Sequence, residues 1–70
     1  MKRQESISNL RLRRVLLGRT QYDVARKARI APSRLSILER NLSEASSSER
    51  ADLARALGAT QAELFEADHE

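Results

Sequence analysis

Apolar residues recur along this chain at spacings of three and four positions, which is the period of an amphipathic α-helix. Leu35 and Leu38 form one such pair, and Leu53 and Leu57 form another. No segment alternates apolar and polar residues with the period of two that is typical of a β-strand. Good helix formers dominate, and the chain has only two Gly and one Pro. The pattern therefore predicts an all-α fold of five short helices.

Capping and stop residues set the predicted helix boundaries. Polar residues that can cap a helix N-terminus precede four of the helices: Ser6, Thr20, Ser46 and Thr60. The last three have an acidic residue at the third helical position, which completes a capping box. Pro32 suits the first position of the remaining helix, and residues that tolerate a left-handed backbone follow three helices: Gly18, Asn41 and Gly58. We therefore expect helices at residues 7–17, 21–28, 32–40, 47–57 and 61–67.

Length and composition limit the chain to one small domain without evident reaction chemistry. Its 70 residues allow a single core, expected within residues 6–67, with a flexible arm at 1–5 and a frayed tail at 68–70. The sequence has no Cys, a single His69 and no Gly-rich phosphate loop. We therefore expect no enzymatic activity, metal, cofactor or small-molecule ligand. It also lacks an apolar run of roughly 18 residues and a signal peptide, so a cytoplasmic location without membrane contact is expected.

Charge is distributed unevenly along the chain. The net charge is only +3, but residues 1–40 hold 11 Lys and Arg against 3 Asp and Glu. Residues 41–70 hold 2 basic and 7 acidic side chains, so the two parts carry balances of +8 and −5. The first part is therefore the candidate face for a polyanion such as nucleic acid.

Residues 20–40 contain two short predicted helices joined by a link of about three residues, Arg29-Ile30-Ala31. Ile30 is apolar, as it must be if the link folds back onto the core. Ala25 is small, which lets the two helices approach closely. This spacing is typical of a helix-turn-helix, in which the second helix enters the major groove of DNA.

An ordered set of residues gives the chain a resemblance to a known family. The set comprises Leu10, Arg14, Gly18, Thr20-Gln21, Val24-Ala25, Ile30, Ser33, Leu35-Ser36, Leu38-Glu39-Arg40, Leu53-Ala54, Ala56-Leu57-Gly58 and Glu63-Leu64-Phe65. It resembles the phage repressor and Cro type of helix-turn-helix protein, also called the xenobiotic-response-element family. The resemblance implies a five-helix, repressor-like DNA-binding domain.

The resemblance also implies roles for individual residues. Arg14 and Glu39 match a mostly buried salt bridge between the first and third helices. The start of the second helix matches the place where a side chain and a backbone amide bind phosphate, and it holds Thr20 and Gln21. The positions that reach base edges hold Ala31, Pro32, Ser33 and Ile37. The flanking residues that complete the expected DNA-binding set are Arg29, Arg34, Ser36 and Arg40.

Some positions depart from the family pattern. Arg29 stands where the turn usually has Gly, and a left-handed Arg costs roughly 1 kcal/mol relative to Gly. The loop after the third helix carries Glu44 and no Lys or Arg. None of the base-reading side chains forms a bidentate hydrogen bond with a base, which leaves apolar contact with thymine methyl groups for Ala31, Pro32 or Ile37.

Three apolar residues lie on the first helix away from Leu10: Leu12, Val15 and Leu16. Leu42 adds a further apolar side chain in a loop. One interpretation is a wider apolar stripe that is buried by the fifth helix or the N-terminal arm. The other is a contact surface for a second copy of the chain or a partner protein.

Two hypotheses for function follow from these features. The leading one is a sequence-specific, DNA-binding transcriptional regulator that binds duplex DNA as a dimer, with its third helix in the major groove. The alternative is a protein-interaction adaptor that keeps the repressor-like fold without specific DNA readout. The unusual base-reading side chains and the acidic loop favour this alternative.

Overall fold

Five helices form in the part of the chain that the computed structural model describes, residues 7–65, and this part contains no strand. They are α1 (Asn9–Leu16), α2 (Gln21–Ala28), α3 (Pro32–Glu39), α4 (Ser47–Leu57) and α5 (Gln61–Phe65). The predicted all-α, five-helix fold is confirmed. The expected arm at 1–5, the tail at 68–70 and the predicted end of the fifth helix at Ala67 lie outside the described residues.

The start of α1 differs from the prediction. Ser8 caps this helix, and not Ser6: its backbone is extended, and its Oγ accepts a hydrogen bond from the Arg11 N–H at 3.1 Å. Ile7, the first residue of the predicted helix, precedes α1 and is 59% exposed. Ser8 is as capable a cap as Ser6, and α1 begins two residues later than predicted.

The other helix starts are as predicted. Thr20 with Asp23 and Ser46 with Glu49 form complete capping boxes at α2 and α4. At α5, Thr60 and Glu63 exchange the same pair of hydrogen bonds. At α3, the residue Ala31 provides no side-chain cap, and Pro32 occupies the first turn.

Four helices are followed within two residues by a residue with a left-handed backbone: Gly18, Arg29, Asn41 and Gly58. Arg29 has φ 61° and ψ 40°, although it carries a Cβ. The N–H of Ile30 then bonds back to the carbonyl of Ala25 at 3.0 Å, closing a Schellman motif. α3 ends at Glu39, one residue earlier than predicted, with Arg40 as its C-cap. Because α2 ends at Ala28 and α3 begins at Pro32, the link between them is three residues long.

The core is built from small and aliphatic side chains of all five helices. Its buried members are Leu10, Val24, Ala25, Ala28, Leu35, Leu38, Leu53, Leu57 and Leu64. Ala25 and Ala28 are completely buried, which lets α2 lie close against α3 and α4. α1 packs on α3 and α5. The helix pair α2–α3 is therefore held by α1 and α4, and each of its two helices keeps an exposed side.

Replacing Arg29 with Gly is expected to raise the free energy of unfolding by about 0.5 to 1 kcal/mol. Gly adopts the left-handed backbone without the Cβ clash, which outweighs its greater freedom in the unfolded chain. Urea unfolding followed by circular dichroism measures the change. Arg29→Ala is the matched control, because it removes the guanidinium but keeps the Cβ. Equal stabilisation by both variants would contradict this explanation, because the gain would then come from removing the guanidinium and not from relieving backbone strain.

Candidate nucleic-acid interface

The carboxylate of Glu39, at the C-terminal end of α3, joins three parts of the helix-turn-helix region. Glu39 is only 4% exposed. Arg14 of α1 donates from Nε to Oε2 at 2.6 Å and from Nη2 to Oε1 at 3.2 Å, so the salt bridge implied by the family resemblance is formed. Gln21 donates from Nε2 to Oε1 at 2.9 Å. Arg14 also donates from Nη1 to the carbonyl of Arg19 at 2.8 Å. We call these four residues the Glu39 network.

The Glu39 network fixes the start of α2 against the end of α3. Thr20 is exposed and its Oγ1 accepts the Asp23 N–H at 3.0 Å, so this hydroxyl oxygen already serves as the helix cap. Gln21 is half-buried because its side-chain amide turns toward Glu39. The backbone N–H groups of the first turn of a helix have no acceptor within that helix, and they lie at the positive end of its dipole. The start of α2 can therefore bind an anion through its backbone, while the Gln21 amide N–H is used inside the protein.

The N-terminal half of α3 presents small side chains. Ala31, Pro32 and Ser33 are exposed, whereas Ser36 and Ile37 are half-buried. Ala31 to Ser33 thus form an open surface roughly 10 Å along the helix from the Glu39 network. This surface has one hydroxyl and no charged side chain, so what it offers a ligand is apolar contact and a single hydrogen-bonding group.

Arg34 has contacts that differ from the phosphate or guanine contact expected of it. Its Nε and Nη2 donate to the two carboxylate oxygens of Glu49 on α4, each at 2.9 Å. Its Nη1 donates to Ser43 Oγ at 3.1 Å, and Nη2 also donates to the Glu44 carbonyl at 3.1 Å. The guanidinium therefore points into the protein's own loop and helix.

Other cations of this region are exposed. Arg29 lies in the turn, Arg40 caps α3, and Arg19 precedes α2. Arg40 Nε donates to the carbonyl of Ser36 one turn earlier, at 3.3 Å, which holds its stem along α3. These three cations border α2 and α3, and they offer mobile positive charge to an anion.

Two features of this surface escaped the sequence analysis. Tyr22, in the first turn of α2, is 64% exposed. The signal available in the sequence was an aromatic residue directly after Gln21, at the predicted start of a helix. Glu49 was expected only as a cap of α4. Its pKa is lowered to about 2, first by the hydrogen bond from Arg34 and then by the backbone N–H of Ser46. No periodicity connects Arg34 and Glu49, which lie 15 positions apart.

The four apolar residues singled out on α1 and in the loop after α3 are exposed. Leu12 is 43% exposed, Val15 54%, Leu16 73% and Leu42 66%. α5 packs on α1, and Arg13 forms an ion pair with Glu63 at 3.3 Å, yet this leaves an open groove beside Leu12 and Leu16. Burial by the fifth helix, one of the two interpretations above, is therefore wrong for the described part of α5.

The described residues contain neither a metal-binding cluster nor a membrane-spanning helix. Within residues 7–65, no three His, Cys, Asp or Glu side chains lie close enough to hold a metal ion. No helix in that range has the length and apolar character needed to cross a membrane. The groups that this surface offers to a ligand are cations, hydroxyls, helix N–H groups and small apolar side chains.

Comparison with known proteins identifies the family. A family profile described as helix-turn-helix matches residues 10–65, from within α1 to the end of α5. The chain belongs to the Cro/C1-type helix-turn-helix family. In this helix-turn-helix protein, α2 and α3 are the two helices of the motif, and the match includes every residue of the Glu39 network.

A solved structure supports the same arrangement of helices. The helix-turn-helix chain is similar to the clp gene regulator ClgR from C. glutamicum, with 41% sequence identity and a TM-score of 0.73. The alignment covers 77% of this chain and 70% of that chain. A comparison with curated proteins gave no match. The likeness thus extends from the sequence profile to the tertiary structure.

Arg14→Met and Glu39→Gln are each expected to lower the free energy of unfolding by about 3 kcal/mol, because each leaves a buried polar partner unpaired. The double variant should lose clearly less than the sum of the two. Urea unfolding of the four proteins of this cycle measures the coupling. Arg55→Ala, which breaks an exposed pair with Asp52, is the control and should change stability by no more than about 0.5 kcal/mol. Additive losses would contradict a coupled network.

Proposed function

We propose that this protein is a DNA-binding transcriptional regulator that binds a duplex as a dimer, with α3 in the major groove and α2 across the backbone. Membership of the helix-turn-helix family, combined with an exposed N-terminal half of α3, carries the proposal. The likeness to a gene regulator supports it. The proposed site of action is the cytoplasm.

Phosphate binding is assigned to the start of α2 and to the exposed cations around the motif. The backbone N–H of Gln21 would hold one phosphate with the help of the helix dipole, whereas the N–H of Thr20 is bonded to the Asp23 carboxylate. Arg19, Arg29 and Arg40 would add electrostatic attraction, which is independent of sequence and sensitive to salt. The Glu39 network supports this assignment, since it holds the α2 phosphate site in a fixed position relative to α3.

Base reading is assigned to Ala31, Pro32 and Ser33, with Ser36 and Ile37 behind them on α3. Apolar side chains of this size contact the methyl group of thymine, and a Ser hydroxyl donates or accepts a hydrogen bond at several bases. None of these groups reads a G·C pair by a bidentate contact. We therefore assign most of the affinity to contacts with the DNA backbone, and the discrimination between base sequences to contacts with thymine methyl groups.

A dimer is proposed because a single module of this kind buries only about 600–1,000 Å² on DNA, which is little for a specific site. The apolar residues Leu12, Val15 and Leu16 of α1, together with Leu42, are the proposed interface between copies. Their exposure in a chain with so few large apolar residues supports this assignment. The open groove beside Leu12 and Leu16 would receive a side chain of the second copy.

Duplex binding is expected to be detectable at about 50 mM salt and to weaken steeply as salt rises to about 200 mM. Arg19→Ala and Arg40→Ala should each weaken binding and reduce the slope of log K against log salt by about 1, because each removes one phosphate contact. Fluorescence anisotropy with duplexes selected from a random pool measures both quantities. The control is Arg55→Ala on α4, whose exposed guanidinium pairs with Asp52. Absent binding, or an equal effect of the control, would contradict the proposal and favour the adaptor hypothesis.

The wild-type protein is expected to sediment as a dimer at micromolar concentration, and the double variant Leu12→Glu/Leu16→Glu as a monomer. Two carboxylates in an apolar interface must lose their hydration, which disfavours association. Sedimentation equilibrium gives the masses. Tyr22→Glu is the matched control, because Tyr22 is equally exposed but lies on α2. Monomeric wild type, or a dimer that survives the double substitution, would contradict this interface.

A further inference from the structure

We propose that Arg34 is a positioning residue of the recognition helix: it fastens the first turn of α3 to the α3–α4 loop and to the start of α4, and it does not contact DNA. The inference rests on the proposed function, since the surface that it positions is Ala31 to Ser33. It assigns to Arg34 a role opposite to the one expected for a cation beside a base-reading surface.

The Arg34 guanidinium forms a bidentate ion pair with the carboxylate of Glu49. Both carboxylate oxygens of Glu49 accept from it at 2.9 Å, the bidentate arrangement that is the strongest form of this ion pair. Two further bonds go to Ser43 Oγ and the Glu44 carbonyl, each at 3.1 Å. A guanidinium has five N–H bonds, so little donor capacity is left for a phosphate. The Arg34 side chain is 33% exposed and that of Glu49 18%, so the pair is partly shielded from water.

The carboxylate of Glu49 accepts hydrogen bonds from α3 and from the N-cap of α4. Its Oε1 accepts the Ser46 N–H at 2.9 Å, and its own N–H donates to Ser46 Oγ at 3.2 Å, which closes the N-terminal cap of α4. The hydrogen bond from Arg34 is the largest cause of the low pKa of Glu49, about 2. The pair is therefore ionised at every pH at which a regulator works, and it ties the α4 cap directly to α3.

The recognition helix needs such a fastening at its N-terminal end. The other end of α3 is held by the Glu39 network, but Ala31 gives this end no side-chain cap. The turn before it contains the left-handed Arg29. The loop that follows α3 is exposed at Leu42, Ser43 and Glu44, so it provides little support of its own. Arg34 lies directly after Ser33 and is the side chain that links this end to the rest of the described structure through four hydrogen bonds.

The test compares Arg34→Ala, Glu49→Gln and the double variant in duplex binding across a range of salt concentrations. Gln is chosen because it retains the capping-box geometry at α4. Each single variant is expected to weaken binding about fivefold with an unchanged salt slope, and the double variant to bind as the singles do. If Arg34 contacts a phosphate, Arg34→Ala lowers the slope by about 1, and Glu49→Gln releases Arg34 and tightens binding. Either result would overturn the proposal.

Arg34→Lys separates charge from geometry. Lys keeps a positive charge but cannot form the bidentate fork, so the variant should resemble Arg34→Ala in duplex affinity. Recovery of wild-type affinity by Lys would identify a charge contact and refute the positioning role.

Unfolding measurements without DNA keep this inference separate from the proposed function. The destabilisation by Arg34→Ala should vanish in the Glu49→Gln background, whether or not the protein binds a duplex. Because the pKa of Glu49 is lowered from 4.5 to about 2 in the folded state, the pair stabilises the protein fully above pH 4.5 and loses this effect as pH falls toward 2. The stability difference between wild type and Arg34→Ala should shrink over the same range. Additive, pH-independent losses would refute the fastening, whereas absent duplex binding with intact coupling would refute only the proposed function.

Discussion

A buried carboxylate must be paired, and in this protein the pairing of Glu39 holds the functional surface together. Leaving a charge of this kind without partners in the interior costs several kcal/mol, so any arrangement that separates Glu39 from Arg14 and Gln21 is strongly disfavoured. The partners come from α1 and from the start of α2, whereas Glu39 ends α3. One group therefore fixes the start of α2, the proposed phosphate site, relative to α3, the proposed recognition helix. Networks of this type are better at selecting one geometry than at adding net stability.

That constraint matters because the apolar core is small and its side chains interlock little. Leu, Val and Ala make up its buried members, and the only Phe packs at its edge. Small side chains such as Ala25 and Ala28 let helices approach closely, but they provide few interlocking shapes that would prevent one helix from sliding on another. Polar contacts with defined directions supply the missing specificity, at Glu39 for one end of α3 and at Glu49 for the other.

Arg34 and Arg40 are residues of the same type, but their surroundings differ in the folded protein. In sequence, both are cations beside the positions that are expected to read bases on the same helix. In the structure, Arg34 is neutralised by Glu49 and bonded to the loop, while Arg40 remains exposed at the end of α3. The positive charge available near α3 is thus concentrated at its C-terminal end and in the preceding turn, and the surface between them is nearly neutral. A duplex would meet cations at the borders of the interface and small apolar groups at its centre.

Local interactions were readable from the sequence because they involve near neighbours. Helix period, three capping boxes and the left-handed residues Gly18, Asn41 and Gly58 are set by side chains within four or five positions of one another, and the structure has them. Where two residues can serve as the cap, as Ser6 and Ser8 can, the local pattern did not decide between them, and Ser8 caps α1. The Arg14–Glu39 pair came from family resemblance, since no spacing rule connects two helices. Contacts between distant positions were settled only by tertiary structure: Gln21 with Glu39, Arg34 with Glu49, and the exposure of Leu12 and Leu16. The reason is physical, because a helical pattern gives the faces of each helix, whereas the packing of all five decides which face finds a partner.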